Sequence, residues 1–124
     1  MTWLAVVLGG AVGTAARHAV NLATSRLIST PVPWATATVN MVGSLVIGVL
    51  AGVLAAERLS MSPFARTFVF VGILGGFTTF SSFMLDSLTL MHAGAPTKAA
   101  LNLGGQLVLG LALTVTGYYI GLRA

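Results

Sequence analysis

Four long, nearly unbroken apolar stretches organise this chain, at about 3–23, 34–56, 64–91 and 98–122. Each reaches the roughly 20 mostly apolar residues that a helix needs to cross the hydrocarbon of a bilayer. The polar breaks between them are short. Residues 29–33 contain Pro31 and Pro33, which cannot continue a helix, and residues 57–63 carry both charge signs in Glu57 and Arg58. Residues 92–97 contain the breakers Gly94 and Pro96. These connections leave no room for a soluble domain, and neither an internal repeat nor a low-complexity tract is present. The expected fold is an all-α membrane protein: a single domain, 1–124, of four transmembrane helices with a break in the third. No Lys or Arg precedes the first apolar run and three more follow it, so the first is expected to be a permanent span rather than a cleaved leader.

The third stretch is the informative one. It contains Gly75-Gly76-Phe77-Thr78-Thr79-Phe80-Ser81-Ser82-Phe83. Two glycines followed by two threonines make a poor continuous helix, so the backbone is expected to open near 75–79. Freed carbonyls in hydrocarbon must be buried in protein or line a polar cavity. A helix broken at that depth is where transport proteins handle an ion or substrate.

Polar positions within the spans sharpen this expectation, because each is costly without a partner. Thr36, Asn40 and Ser44 share a face of the second span, and Asn102, Gln106 and Thr114 share a face of the fourth. An asparagine amide offers two N–H donors, which a dehydrated anion needs, although such a residue also serves as helix–helix glue. Phe80 and Phe83 are three apart beside Ser81 and Ser82. Aromatic rings carry a positive edge, so a ring edge facing a pore favours an anion without a full charge. Conduction demands such weak, multi-site binding. Asp86, one turn beyond Phe83, reads as a structural partner rather than a proton carrier.

Composition excludes most other functions. The chain is 56% hydrophobic and only 6% charged, against roughly a quarter charged in a soluble domain. There is no cysteine, so disulfides and thiolate metal sites are excluded. The net charge of +4 comes from scattered Lys and Arg, which argues against nucleic-acid binding. No transition-metal cluster, catalytic triad or phosphate-binding glycine loop is present, so the chain is not expected to be an enzyme. With four spans, Arg58, Arg66 and Arg123 fall on one side, and Arg26 and Lys98 on the other, joined by Arg17 if it snorkels. This near balance of the charges that set orientation points to dual topology and head-to-tail pairing. Glycines four apart recur in the spans (Gly9 and Gly13, Gly48 and Gly52, Gly72 and Gly76, Gly117 and Gly121) and read as close helix packing.

The third-span segment, with Asp86 where a glutamate is usual, resembles the fluoride channel family Fluc (CrcB). So do Thr38-Val39-Asn40-Met41-Val42-Gly43 and the opening Gly9-Gly10-Ala11-Val12-Gly13 followed by Arg17. The resemblance covers essentially the whole chain. It implies a passive, fluoride-selective channel in the cell inner membrane that exports cytoplasmic fluoride and confers fluoride resistance. It further implies an antiparallel dual-topology homodimer with two pores and a central structural sodium ion held by the backbone carbonyls of Gly75 and Thr78. By the same resemblance, Phe80 and Phe83 line the pores, Asn40 donates to fluoride, and Ser81 and Thr114 belong to the pathway. Thr36, Asn102 and Gln106 are expected to extend it. The chain departs from the family at Gly110, where a serine is usual, and at Phe77, where a smaller aliphatic residue is usual. Two rivals remain at this point. A small multidrug-type proton-coupled exporter would need a deep carboxylate, ideally in the first span, which has none. A non-conducting membrane assembly subunit would use the polar track as helix glue alone.

Overall fold

A computed structural model describes residues 1–30 and 32–124, so Pro31 of the first connection lies outside the described residues. Among the described residues the chain is helical, with no strand. Helix α1 spans Thr2–Leu27 and α2 spans Trp34–Ala55. The third span is composite. Helix α3, Pro63–Arg66, runs into a π-helical segment, Thr67–Leu74, and then into the single turn α4, Gly75–Phe77. Helix α5 follows at Phe80–His92, and α6 closes the chain at Pro96–Arg123. Among the described residues, four helices are long and apolar enough to cross a membrane: α1, α2, the composite Pro63–His92, and α6.

Local chemistry sets the ends of these helices. Helix α1 runs on to Leu27 because Thr24, Ser25 and Arg26 contain no breaker, and Arg26 lies in its last turn, at the negative end of the helix dipole. Ser62 caps α3 by accepting the Ala65 N–H at 3.1 Å, and Pro63 follows at the first helical position, where its missing N–H costs nothing. Both α2 and α5 end in paired reverse bonds that satisfy terminal carbonyls. After α5 the left-handed residue is Gly94, at φ 73°. The Gly94 N–H donates to the Met91 carbonyl at 3.2 Å, and the Ala95 N–H to the Leu90 carbonyl at 2.9 Å. After α2 the same position falls on Glu57, at φ 55°, where a side chain is strained.

The helices associate as two tight pairs, α1 with the third span and α2 with α6. Glycines make both pairings possible. A Cβ built at Gly52 would overlap the Tyr118 carbonyl oxygen, and one at Gly121 would overlap the Val49 carbonyl oxygen. In the other pair, a Cβ at Gly9 would overlap the Phe68 carbonyl oxygen and lie 2.9 Å from the Gly72 Cα. Lipid tails are as apolar as leucine, so close backbone approach replaces the hydrophobic effect as the force holding such helices together. The two pairs meet where α6 faces α5, where α1 faces α2, and where α2 faces α4 and α5. Large apolar side chains such as Trp3, Val7, Leu101 and Val108 stand exposed on the outer faces, as membrane-spanning helices require.

Gly52→Leu is expected to separate α2 from α6, because the clash is with backbone and cannot be relieved by a rotamer change. The cost should reach or exceed the ~1–3 kcal/mol typical of overpacking. Thermal unfolding of the detergent-solubilised protein should show a clear drop for Gly52→Leu. Gly104→Ala, where nothing lies within 4 Å of the added methyl, should unfold close to wild type.

Candidate functional site

The third span opens at Thr78 and Thr79, whose backbones are extended at φ −81°, ψ 159° and φ −151°, ψ 117°. Gly75 and Gly76 remain helical, and Gly76 is used for packing: a Cβ there would sit 2.8 Å from the Gly10 carbonyl oxygen of α1. Threonine suits the opening because its hydroxyl can replace lost backbone bonds. Thr79 is the N-cap of α5, with its Oγ1 accepting the Ser82 N–H at 3.2 Å. Its hydroxyl also donates to Ser82 Oγ at 3.1 Å. Thr78 holds the other side of the opening, its N–H and hydroxyl both donating to the Leu74 carbonyl at 3.0 and 2.9 Å.

Asn40 of α2 bridges the opening. Its Oδ1 accepts the Thr79 N–H at 2.9 Å, and its Nδ2 donates to the Thr79 carbonyl at 3.1 Å. One side-chain amide thus satisfies both polar groups of one residue. The bridge has a consequence for two carbonyls. In an unbroken helix the Thr79 N–H would close onto Gly75, and the Ser82 N–H onto Thr78. Those donors go instead to Asn40 and to Thr79 Oγ1, which leaves the Gly75 and Thr78 carbonyls without their helical partners.

The second hydrogen of Asn40 Nδ2 begins a chain of side-chain bonds. It donates to Gln106 Oε1 at 2.8 Å. Gln106 Nε2 donates to Asn102 Oδ1, Asn102 Nδ2 to Ser87 Oγ, and the Ser87 hydroxyl to the Phe83 carbonyl, each at 2.9 Å. Asn40, Gln106 and Asn102, drawn from two helices, therefore form one connected network with the opened backbone. Among the described residues, no fully buried side-chain nitrogen or oxygen lacks a partner.

A cavity of about 390 Å³ lies against this network, lined by Asn40, Ser44, Thr79, Phe80, Phe83 and Gln106 among others. The two phenylalanines meet edge to face, with ring centroids 5.9 Å apart and planes at 73°. Phe83 is buried, at 3% exposure, while Phe80 is 69% exposed and faces outward from this single chain. The cavity therefore combines amide and hydroxyl groups with aromatic rings and holds no charged side chain. Such a lining suits a small, strongly hydrogen-bonding anion that must also leave.

Other expected residues lie elsewhere. The Thr36 hydroxyl donates to Asp86 Oδ2 at 2.6 Å, and no group of His, Asp or Glu side chains able to hold a metal occurs among the described residues. Ser81 is exposed, with its Oγ 3.5 Å from Thr79 Oγ1. Thr114 sits further along α6, and its hydroxyl donates to the Gly110 and Ser44 carbonyls at 3.0 and 3.1 Å. It is not brought to the cavity wall. Ser87, which ties Asn102 to α5, was not anticipated from sequence. Its position one turn after Phe83, on the same face, is the signal that would have found it.

Asn40→Leu should leave the Thr79 N–H and carbonyl and Gln106 Oε1 without partners, at about 1–3 kcal/mol for each buried group so orphaned. A marked fall in the thermal midpoint in detergent is expected. An unchanged midpoint would contradict the bridging role of the amide.

Comparison with known proteins supplies a second line of observation. The family model described as CrcB-like protein, Camphor Resistance (CrcB), matches residues 4–118. The chain is 42% identical over 121 residues to a protein of Hyphomonas neptunium named fluoride-specific ion channel FluC, a match covering 98% of this chain and 95% of that protein. It is 44% identical over 119 residues to a protein of the same name from Rhodospirillum centenum, covering 96% of this chain and 90% of the relative. A third such protein, from Rhodopseudomonas palustris, is 43% identical over 122 residues, covering 98% and 94% respectively.

Proposed function

The chain belongs to the CrcB family, and on that premise we propose that it is a fluoride-selective passive channel. It is a multi-pass protein of the bacterial plasma membrane that lets cytoplasmic fluoride leave the cell. The observation that carries this reading is similarity over nearly the whole chain to proteins named fluoride-specific ion channels. The uncharged, donor-bearing cavity at Asn40 is what the chemistry of that cargo asks for.

Fluoride enters cells as neutral HF, dissociates at cytoplasmic pH and is trapped as the anion. A pore is then sufficient, because the outward gradient and a negative-inside membrane both drive the ion out. The selective step is dehydration. Asn40 donates the Nδ2 N–H not held by the Thr79 carbonyl in place of water, hydroxyls beside the opening add further donors, and the edges of Phe80 and Phe83 add weak positive potential. A lysine or arginine at this point would hold the ion too long, since throughput requires binding weak enough to release. On this reading Ser81, Thr114, Thr36 and Asn102 continue the polar route.

The pores form in an antiparallel homodimer. The near balance of Lys and Arg on the two sides supports insertion in both orientations. The outward-facing Phe80 supports a pore completed by the second copy. A structural sodium ion fits the centre of that dimer. The Gly75 and Thr78 carbonyls have lost their helical donors, and backbone oxygens are apt ligands for a small, hard cation. When bound, the ion supplies positive charge that satisfies these carbonyls and ties the two opened spans together.

Liposomes loaded with fluoride and holding the purified protein should empty rapidly, while chloride-loaded ones retain their content. Asn40→Asp should bring release to background, because its carboxylate would face the Thr79 carbonyl and Gln106 Oε1 with no hydrogen to share. Phe80→Ile should lower the rate with the dimer intact on size exclusion. Wild-type flux in Asn40→Asp would refute the assigned site, and release of both halides by wild type would refute fluoride selectivity.

A further inference from the structure

We propose that the Gln106 side chain is a displaceable occupant of the anion site on Asn40, and that its rotation joins two cavities that it otherwise separates. This inference rests on the fluoride-channel reading. It assigns Gln106 a role in setting fluoride affinity that a passive lining residue would not have.

The direction of the hydrogen-bond chain is determined from both ends. The Phe83 carbonyl can only accept, so the Ser87 hydroxyl donates to it, and Ser87 Oγ is left to accept from Asn102. Asn102 must then present its oxygen to Gln106, and Gln106 its oxygen to Asn40. From the other end, the Thr79 N–H can only donate, which turns Asn40 Oδ1 toward it and Nδ2 toward Gln106. Both ends give the same polarity. In this arrangement both Asn40 Nδ2 hydrogens are engaged, one by the Thr79 carbonyl and one by Gln106 Oε1. An arriving anion finds its donor already satisfied by an amide oxygen.

Gln106 and Met41 are the residues shared by two cavities. One is the cavity of Asn40, Phe80 and Phe83, and the other, of about 370 Å³, is lined by Trp34, Lys98, Asn102 and Leu109 among others. Lys98 gives the second cavity a cation that draws anions toward Gln106. Turning the Gln106 amide over withdraws Oε1 from Asn40 and Nε2 from Asn102, and presents an N–H toward Asn40. Two amides then donate to one ion in the place the oxygen held. Fluoride is close in size to that oxygen and accepts charge-assisted bonds, which compensate for the two neutral ones lost. Chloride is larger and binds such donors more weakly. The fluoride-free state is therefore closed by an internal ligand, and apparent affinity is set partly by how tightly Asn102 holds Gln106.

The chain contains a single glutamine, so glutamine side-chain 15N labelling reports on Gln106 alone. The full-length protein in lipid nanodiscs is titrated with sodium fluoride, and separately with sodium chloride at matched ionic strength. The Gln106 Nε2 proton resonances are expected to move saturably with fluoride and to stay in place with chloride. In Asn102→Leu, which removes the acceptor that holds Gln106 closed, half-saturation should come at about fivefold lower fluoride. Gln106→Glu keeps the acceptor on Asn40 but has no N–H to turn toward the ion, and its liposome fluoride flux should fall at least about tenfold. An unmoved Gln106 amide in a wild-type protein that conducts fluoride would overturn this inference and leave the channel reading standing. So would a higher fluoride requirement in Asn102→Leu, which marks the network as scaffolding, or an equal response to chloride. A wild-type protein that neither conducts nor responds would sink both.

Discussion

An opened backbone in hydrocarbon has to be satisfied from within the protein. Here that constraint is met by one amide: Asn40 takes the N–H and returns one to the carbonyl of Thr79. The rest of the arrangement depends on this exchange. It holds α2 against the break in the third span, starts the chain of side-chain bonds to α6 and α5, and strips two carbonyls of their helical partners. Without the amide the buried Thr79 N–H and carbonyl would be left unpaired. Without the break the amide would have no reason to face this way.

The glycine contacts have a different task. They bring α1 against the third span and α2 against α6 closely enough for short polar side chains to meet across the interfaces. The 2.8 Å bond from Asn40 to Gln106 crosses between α2 and α6, whose backbones are held close by Gly48, Gly52, Gly117 and Gly121. Packing in lipid and the polar site are thus one design constraint: small residues set the separation, and the separation decides which donors reach which acceptors. The result is a cavity lined by amide, hydroxyl and aromatic groups with no full charge. That balance is the one conduction needs, because an ion must be stripped of water and yet released.

Much of the helical layout was legible because four apolar stretches of membrane length admit few other readings, and short connections force neighbours to pack. The polar faces on α2 and α6 were legible from spacing, since Thr36 with Asn40 and Asn102 with Gln106 each lie one turn apart. The partners of those residues were not. Nothing in the spacing says that Asn40 donates to Gln106 rather than to solvent or an ion, because that depends on the register between two helices. The expected break at 75–79 contains the observed one, but which of its residues would extend was not legible. Gly75 and Gly76 look like the weak point, yet they stay helical and serve as contact surface, while Thr78 and Thr79 extend because a hydroxyl cap replaces what the backbone loses. Ser87 was overlooked although it lies one turn after Phe83 on the same face, and its bond to Asn102 follows only from where α6 is placed.

These features converge on passive conduction of one anion through a site that has donors but no titrating group at its centre. Reversal potential in a planar bilayer containing only this protein addresses that claim most directly. With fluoride unequal on the two sides, the reversal potential should follow the fluoride gradient at about 59 mV per tenfold ratio. It should not move when a chloride or pH gradient is imposed instead. A reversal potential that follows chloride or protons would contradict a fluoride-selective passive channel.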